Sequence, residues 1–217
     1  MNKQDVANRI TEIGIVPVVR ASSPKQALLA AEAVCAGGIP IVEVTMTVPG
    51  AVEVIAELGK SMGSDVLIGA GTVLDAETAQ SCIDAGAEFI VSPGFNLETV
   101  KFVNQAGKLM MAGALTPSEV IAAWKAGTDF VKIFPCGAVG GAKYIKALKG
   151  PLPHIPMIPT GGVNLSTAAD FIIAGGAALG VGGELVSASA LESGDLKPIV
   201  EAARSFVSIV RDARKAI

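Results

Sequence analysis

The chain has 217 residues, of which 51% are hydrophobic and 17% charged, with a formal net charge of −3. That hydrophobic content excludes a disordered polymer and suits one domain, spanning 1–217, with a large core. Lys and Arg are scattered, which excludes a basic nucleic-acid footprint, and no uninterrupted apolar run is long enough to cross a membrane.

The first predicted element is an amphipathic helix over 2–13. Its start, MNKQDVANRITEIG, is too polar for a signal peptide. Eight strands follow, at about 15–20, 40–45, 66–70, 88–92, 109–113, 129–134, 155–159 and 177–181. They are marked by a recurring phrase in which a helix ends at Gly and an apolar run begins, as in CAGGIPIVEV, DAGAEFIVSP and KAGTDFVKIF. The glycines Gly37, Gly63, Gly86, Gly107, Gly127 and Gly175 are spaced by 26, 23, 21, 20 and 48 residues, the last being a double interval. Glycine can take the left-handed conformation that stops a helix. Helical segments such as PKQALLAAEAVCAG and SEVIAAWKAG lie between the strands. Eight such units predict a parallel (β/α)₈ barrel, the TIM-barrel fold, with an N-terminal helix. The competing doubly wound sheet would show a nucleotide loop after the first strand, and VVRASSPKQ is not one.

The strand TDFVKIF contains Lys132 among core residue types, where an ammonium is costly unless paired or neutralised. Strand alternation turns Val131 and Ile133 to the helices, and Phe130, Lys132 and Phe134 to the barrel axis. The same parity in strand two turns Glu43 inward with Ile41 and Thr45. Both groups lie near the C-terminal strand ends, where this fold places its chemistry. Arg20, Thr72 and the Gly161–Gly162 pair converge on that end too. A buried structural ion pair is the competing reading.

An uncharged lysine amine attacks a carbonyl to form a Schiff base. With a 2-keto acid, the iminium draws electrons from C3. C3–C4 cleavage then needs a base for the C4 hydroxyl proton, a role open to Glu43. The only histidine, His154, lies in the loop-like GPLPHIPM, so a metal-dependent aldolase or a His triad lacks its side chains. Neither a metal nor a cofactor is expected. Gly pairs after strands seven and eight, in PTGGV and GVGGEL, suit an anion. Cys35, Cys82 and Cys136 are an odd number with no CxxC spacing, so free thiols in a reducing cytoplasm are expected. The RDARK run near the C-terminus reads as the solvated end of a helix.

VPVVR, IVEVTMTVP, IGAGTVL, FIVSPGF, GALTPSE, VKIFP, IPTGGV and GVGGEL run in order through nearly the whole chain. As a set they resemble the 2-keto-3-deoxy-6-phosphogluconate (KDPG) / 4-hydroxy-2-oxoglutarate (KHG) aldolases, class I enzymes with pyruvate as a product. The resemblance implies a homotrimeric barrel with Lys132 as Schiff-base lysine and Glu43 as general acid/base. It implies that Thr72 holds the pyruvate carboxylate and that Pro93 and Phe134 line the pocket. Arg20, Thr160, Gly161, Gly162, Gly182 and Gly183 would meet the rest of the substrate, a distal phosphate or carboxylate included. KDPG, cleaved to pyruvate and glyceraldehyde 3-phosphate, is the first expected substrate. KHG, which gives glyoxylate, and an unphosphorylated keto-deoxy sugar acid are the alternatives. Two departures stand out: Thr47 where some members carry arginine, and Glu184 where some carry serine. A proton-transfer isomerase or epimerase using Glu43 alone, and a non-catalytic trimeric scaffold, are the competing functions.

Overall fold

A computed structural model describes residues 1–217. After an N-terminal helix, strands and helices alternate up to β8, which two helices follow. These are α1 (Lys3–Ile13), β1 (Ile15–Val19), α2 (Pro24–Ala36), β2 (Ile41–Thr45), α3 (Ala51–Met62) and β3 (Leu67–Gly71). Next come α4 (Ala76–Asp84), β4 (Phe89–Val91), α5 (Leu97–Gln105), β5 (Leu109–Ala114), α6 (Pro117–Lys125) and β6 (Phe130–Ile133). The chain ends with α7 (Ala142–Lys149), β7 (Met157–Pro159), α8 (Ala168–Ile173), β8 (Leu179–Val181), α9 (Ala188–Ser193) and α10 (Lys197–Lys215).

Side chains before the helices fix where they start. Asn2, Ser23, Asp75, Asn96 and Thr116 each accept a backbone N–H that the first turn leaves without a partner. Thr116 and Glu119 do so reciprocally, forming a capping box. That contact, with the bonds from the Leu115 and Thr116 amides, holds the Glu119 carboxyl below its ordinary range.

All eight strands are parallel; β1 to β7 pair in sequence order, and β8 pairs with β1. The Thr160–Gly180 bridge brings the last two strands together and closes the barrel. The strands are buried along their full length, which accounts for their near-continuous apolar runs. β7 begins at Met157 rather than 155 because Pro156 has no N–H to give to the ladder. β8 begins at Leu179 rather than 177, with only an isolated bridge between Gly176 and Met157 before it. The six-residue α9 after β8 was not foreseen from sequence.

The helix α1 lies across the N-terminal mouth. Lys3 pairs with Asp129 before β6 at 3.0 Å, and Arg9 donates to the Ser64 and Asp65 carbonyls before β3. Arg214 of α10 donates to the Glu12 and Thr11 carbonyls at the end of α1, and to Ala177. This corrects the sequence reading of the RDARK run, because one of its cations caps another helix rather than facing water. The C-terminal mouth is left free, and both site loops and inward side chains collect there. No helix is long and apolar enough to cross a membrane.

Glycine inside β5 is required by packing. A Cβ on Gly113 would overlap the Pro93 carbonyl and the Gly94 amide, which are backbone and cannot swing aside. Gly113→Ala should therefore destabilise the fold by about 1–3 kcal/mol, as overpacked sites do. Denaturant unfolding of the variant against wild type checks this; unchanged stability would show that the turn moves freely.

Candidate active site

The site forms around one pair. Lys132 of β6 and Glu43 of β2 come from opposite parts of the sheet, yet Lys132 Nζ lies 3.7 Å from Glu43 Oε1. Both are buried, with 6% and 2% of their surfaces exposed. The two side chains can meet only inside the barrel, so both strands turn them inward as their alternation predicts. At 3.7 Å the contact is an ion-pair distance and too long for a hydrogen bond. Glu43 Oε1 has no hydrogen-bond partner, although it is buried. It is an open acceptor facing the lysine.

The backbone makes room for this pair. A Cβ on Gly71 would overlap Glu43 Oε1, so the glycine at the end of β3 is what lets the carboxylate lie there. Gly113 stands beside Lys132 in the neighbouring strand, and Gly69 stands beside Glu43. Burial pushes the Glu43 carboxyl above its ordinary pKa. The Lys132 and Arg20 charges pull it back in part. Lys132 Nζ also stands 5.6 Å from the centre of the Phe134 ring, within cation–π range.

Thr72 follows Gly71 and is the one non-glycine residue with positive φ, at 62°. A threonine in this conformation is strained, and such strain gathers at functional sites. The Phe134–Pro135 peptide bond is cis. A hollow of about 130 Å³ opens at the same mouth, lined by Arg20, Phe134, Thr160, Gly161, Gly162, Gly182, Gly183 and Glu184. Gly161 and Gly162 take φ of 86° and 77°, a conformation that side-chain-bearing residues rarely adopt. A Cβ on Gly182 would stand 3.3 Å from an Arg20 guanidinium nitrogen, so Arg20 reaches over that glycine. Glu184 is exposed and borders the hollow.

Of the expected site residues, Arg20, Phe134, Thr160, Gly161, Gly162, Gly182 and Gly183 share one hollow, and Lys132 and Glu43 form the pair. Thr72 and Pro93 stand at the same mouth, Thr72 next to Gly71 at the end of β3 and Pro93 packed on Gly113 of β5. Thr47 is exposed and donates or accepts a 2.6 Å hydrogen bond with Thr45 Oγ1. A larger hollow, about 570 Å³, lies at the opposite end between α3 and α4. Its charged lining is Lys60, Asp84 and Glu88, at the end of the barrel away from Lys132 and Glu43.

Sequence reasoning turned Thr45 inward without giving it a role, and it missed Ser92, Gly71 and Gly113. Thr45 is fully buried and donates to the Val19 carbonyl at 3.0 Å, just before Arg20. The signal for the glycines was present: LIGAG and LMMAGA place Gly inside strands, which marks close approach of another group. The three thiols are free, and burial pushes each up to about 11, so they stay protonated at neutral pH. His154 is exposed and packs edge-on to Trp124, with ring centres 6.1 Å apart.

Known proteins resemble this chain over nearly its full length. The family described as KDPG and KHG aldolase matches residues 6–202. A 2-dehydro-3-deoxy-phosphogluconate aldolase of Treponema pallidum is 34% identical over 93% of this chain and 95% of its own length. The KHG/KDPG aldolase of Escherichia coli K12 is 33% identical over 94% of this chain and 96% of its own. A crystal structure of KDPG aldolase from Legionella pneumophila, with pyruvate captured as a covalent carbinolamine, superposes with a TM-score of 0.86. It is 29% identical and covers 93% of this chain and 97% of that one. With the inward lysine–carboxylate pair in a closed barrel and near full-length matches of this kind, the chain belongs to the KDPG and KHG aldolase family of class I aldolases.

Proposed function

We propose that this protein cleaves a 4-hydroxy-2-keto acid to pyruvate and an aldehyde, with Lys132 as the imine-forming amine and Glu43 as the proton-transfer group. The observation that carries this reading is the buried Lys132–Glu43 pair with an open acceptor on Glu43.

Attack needs an uncharged amine, and Glu43, its proton affinity raised by burial, is the neighbouring group placed to take the proton. The free amine adds to C2 of the keto acid to give a carbinolamine, and Glu43 returns its proton to the carbinolamine hydroxyl, which leaves as water to form an iminium. Glu43, ionised again by that transfer, accepts the C4 hydroxyl proton directly or through one water. The C3–C4 electron pair moves into the iminium, and the aldehyde departs. The enamine left on Lys132 takes a proton at C3, and water hydrolyses the imine to release pyruvate. Phe134 and Pro93 wall the pyruvate pocket, and the strained Thr72 backbone presents its amide and hydroxyl to the pyruvate carboxylate.

For the aldehyde portion, KDPG is the first reading. Arg20 and the glycine-lined hollow supply a cation and small-residue backbone for a phosphate, and Thr160 adds a hydroxyl. Glu184 on the same rim works against a dianion, which favours KHG or an unphosphorylated sugar acid as the second reading. The test is kcat/KM for KDPG, KHG and the unphosphorylated acid, on wild type and on Glu184→Gln. KDPG should lead, and Glu184→Gln should raise its kcat/KM by about tenfold, raise that of the singly charged KHG carboxylate by less, and leave the unphosphorylated sugar acid unchanged. A wild-type preference for the unphosphorylated acid would replace the first substrate, and no turnover of any of the three would overturn the function.

The assembly is proposed to be a homotrimer in the cytoplasm, supported by the family resemblance and by exposed apolar side chains such as Leu165 and Ile173. Light scattering of the purified protein decides the copy number.

A further inference from the structure

We propose that Ser92 is a positioning residue for the imine chemistry, one that fixes the pocket wall beside Lys132 without touching substrate. The proposal rests on Lys132 as the imine-forming amine. Ser92 follows β4 at the C-terminal mouth and is 2% exposed. Its hydroxyl donates to the Gly94 carbonyl at 2.7 Å, drawing the Pro93–Gly94 turn tight. The same oxygen accepts the Gly113 amide of β5 at 3.4 Å. The Ser92 amide donates to the Met111 carbonyl at 3.1 Å, so the residue is tied to β5 twice.

Gly113 stands in register with Lys132. It has no side chain, and the Pro93 carbonyl occupies the space a Cβ would take. One hydroxyl thus joins three parts: the end of β4, the Pro93 turn, and the backbone position next to the lysine. A serine serving only as a turn former would bond within its own loop. The bond from the neighbouring strand is what extends its reach to the lysine. If the hydroxyl is lost, the Gly94 carbonyl and the Gly113 amide lose their shared partner, and the Pro93 wall loosens over a strand with no side chain to stop it. A displacement of about 1 Å at such a wall is enough to slow a reaction markedly.

The test uses the full chain, with pyruvate as the probe. Ser92→Ala should slow borohydride-trapped imine formation per folded molecule by about tenfold. KM of the keto acid should rise by a similar factor, with kcat within about threefold. Ser92→Thr, which keeps the hydroxyl, should recover most of the loss. Ser92→Cys, which keeps the bulk and weakens the donor, serves if the alanine variant does not fold, and it should show the same KM-weighted loss. A lower melting temperature with KM and trapping rate unchanged per folded molecule would reduce Ser92 to a structural serine and overturn the proposal. If wild type itself fails to trap pyruvate at Lys132, the reading of the lysine fails first. If wild type traps and the variants match it, only the role of Ser92 fails.

Discussion

Lys132→Met should abolish pyruvate release, lowering kcat by about 10⁴-fold or more, because no other buried amine can form the imine. Methionine matches the length of the lysine stem, so the wall around it is preserved. The substitution does leave Glu43 buried without its cation. An unpaired buried charge costs about 3–5 kcal/mol, which the carboxyl avoids by taking up a proton. Burial already raises the Glu43 pKa, and Lys132 is among the groups that lower it, so the variant's value lies higher still. The sign follows from linkage: a carboxyl whose folded pKa is above its unfolded one binds more protons when folded. The variant's stability should therefore decline as pH rises from the ordinary carboxylate range through the folded value. Denaturant unfolding at pH 5 and pH 8 measures this, and a variant equally stable at both would contradict the buried-carboxylate account. Residual turnover near the wild-type level would instead favour a proton-transfer enzyme using Glu43 alone.

The second large effect is expected at Glu43. Glu43→Gln keeps the shape and removes the base, so kcat should fall by about 10²–10⁴-fold, the usual range for a lost acid–base group. Imine formation with pyruvate should continue, more slowly, because the amine is still present. Stopped turnover with surviving trapping separates the two roles; equal loss of both would mean that Glu43 acts only by holding the lysine. In wild type, the acidic limb of kcat/KM should lie above the ordinary carboxylate range, since activity needs the ionised form of a group that burial keeps protonated to higher pH. A limb at the usual carboxylate value would place the essential ionisation elsewhere.

Most of the frame could be read from residue order. Strand alternation oriented Lys132 and Glu43 correctly because one face of each strand meets helices and the other meets the axis, and Val131, Ile133, Val42 and Val44 mark the helix face. Loop glycines located the helix ends because most of them take the left-handed backbone there, although after α2 it is Gly38 and not Gly37 that does so. What escaped was set by approach between distant segments. Nothing in LMMAGA says that Gly113 is glycine because the Pro93 carbonyl lies over it, nor does LIGAG say that Gly71 yields to Glu43. Ser92 reads as an ordinary turn former until its bond to β5 is seen. The place of Glu184 depended on the turn after β8, whose backbone, Gly182–Gly183, accepts more than one path.

The central claim is that Lys132 forms an imine with pyruvate. Borohydride reduction of the wild-type protein in the presence of pyruvate, followed by intact mass and peptide mapping, tests it in one step. The account predicts one reduced pyruvyl adduct per chain, on the peptide carrying Lys132, and none without pyruvate. A folded protein with no adduct, or with the adduct on another lysine, would contradict it.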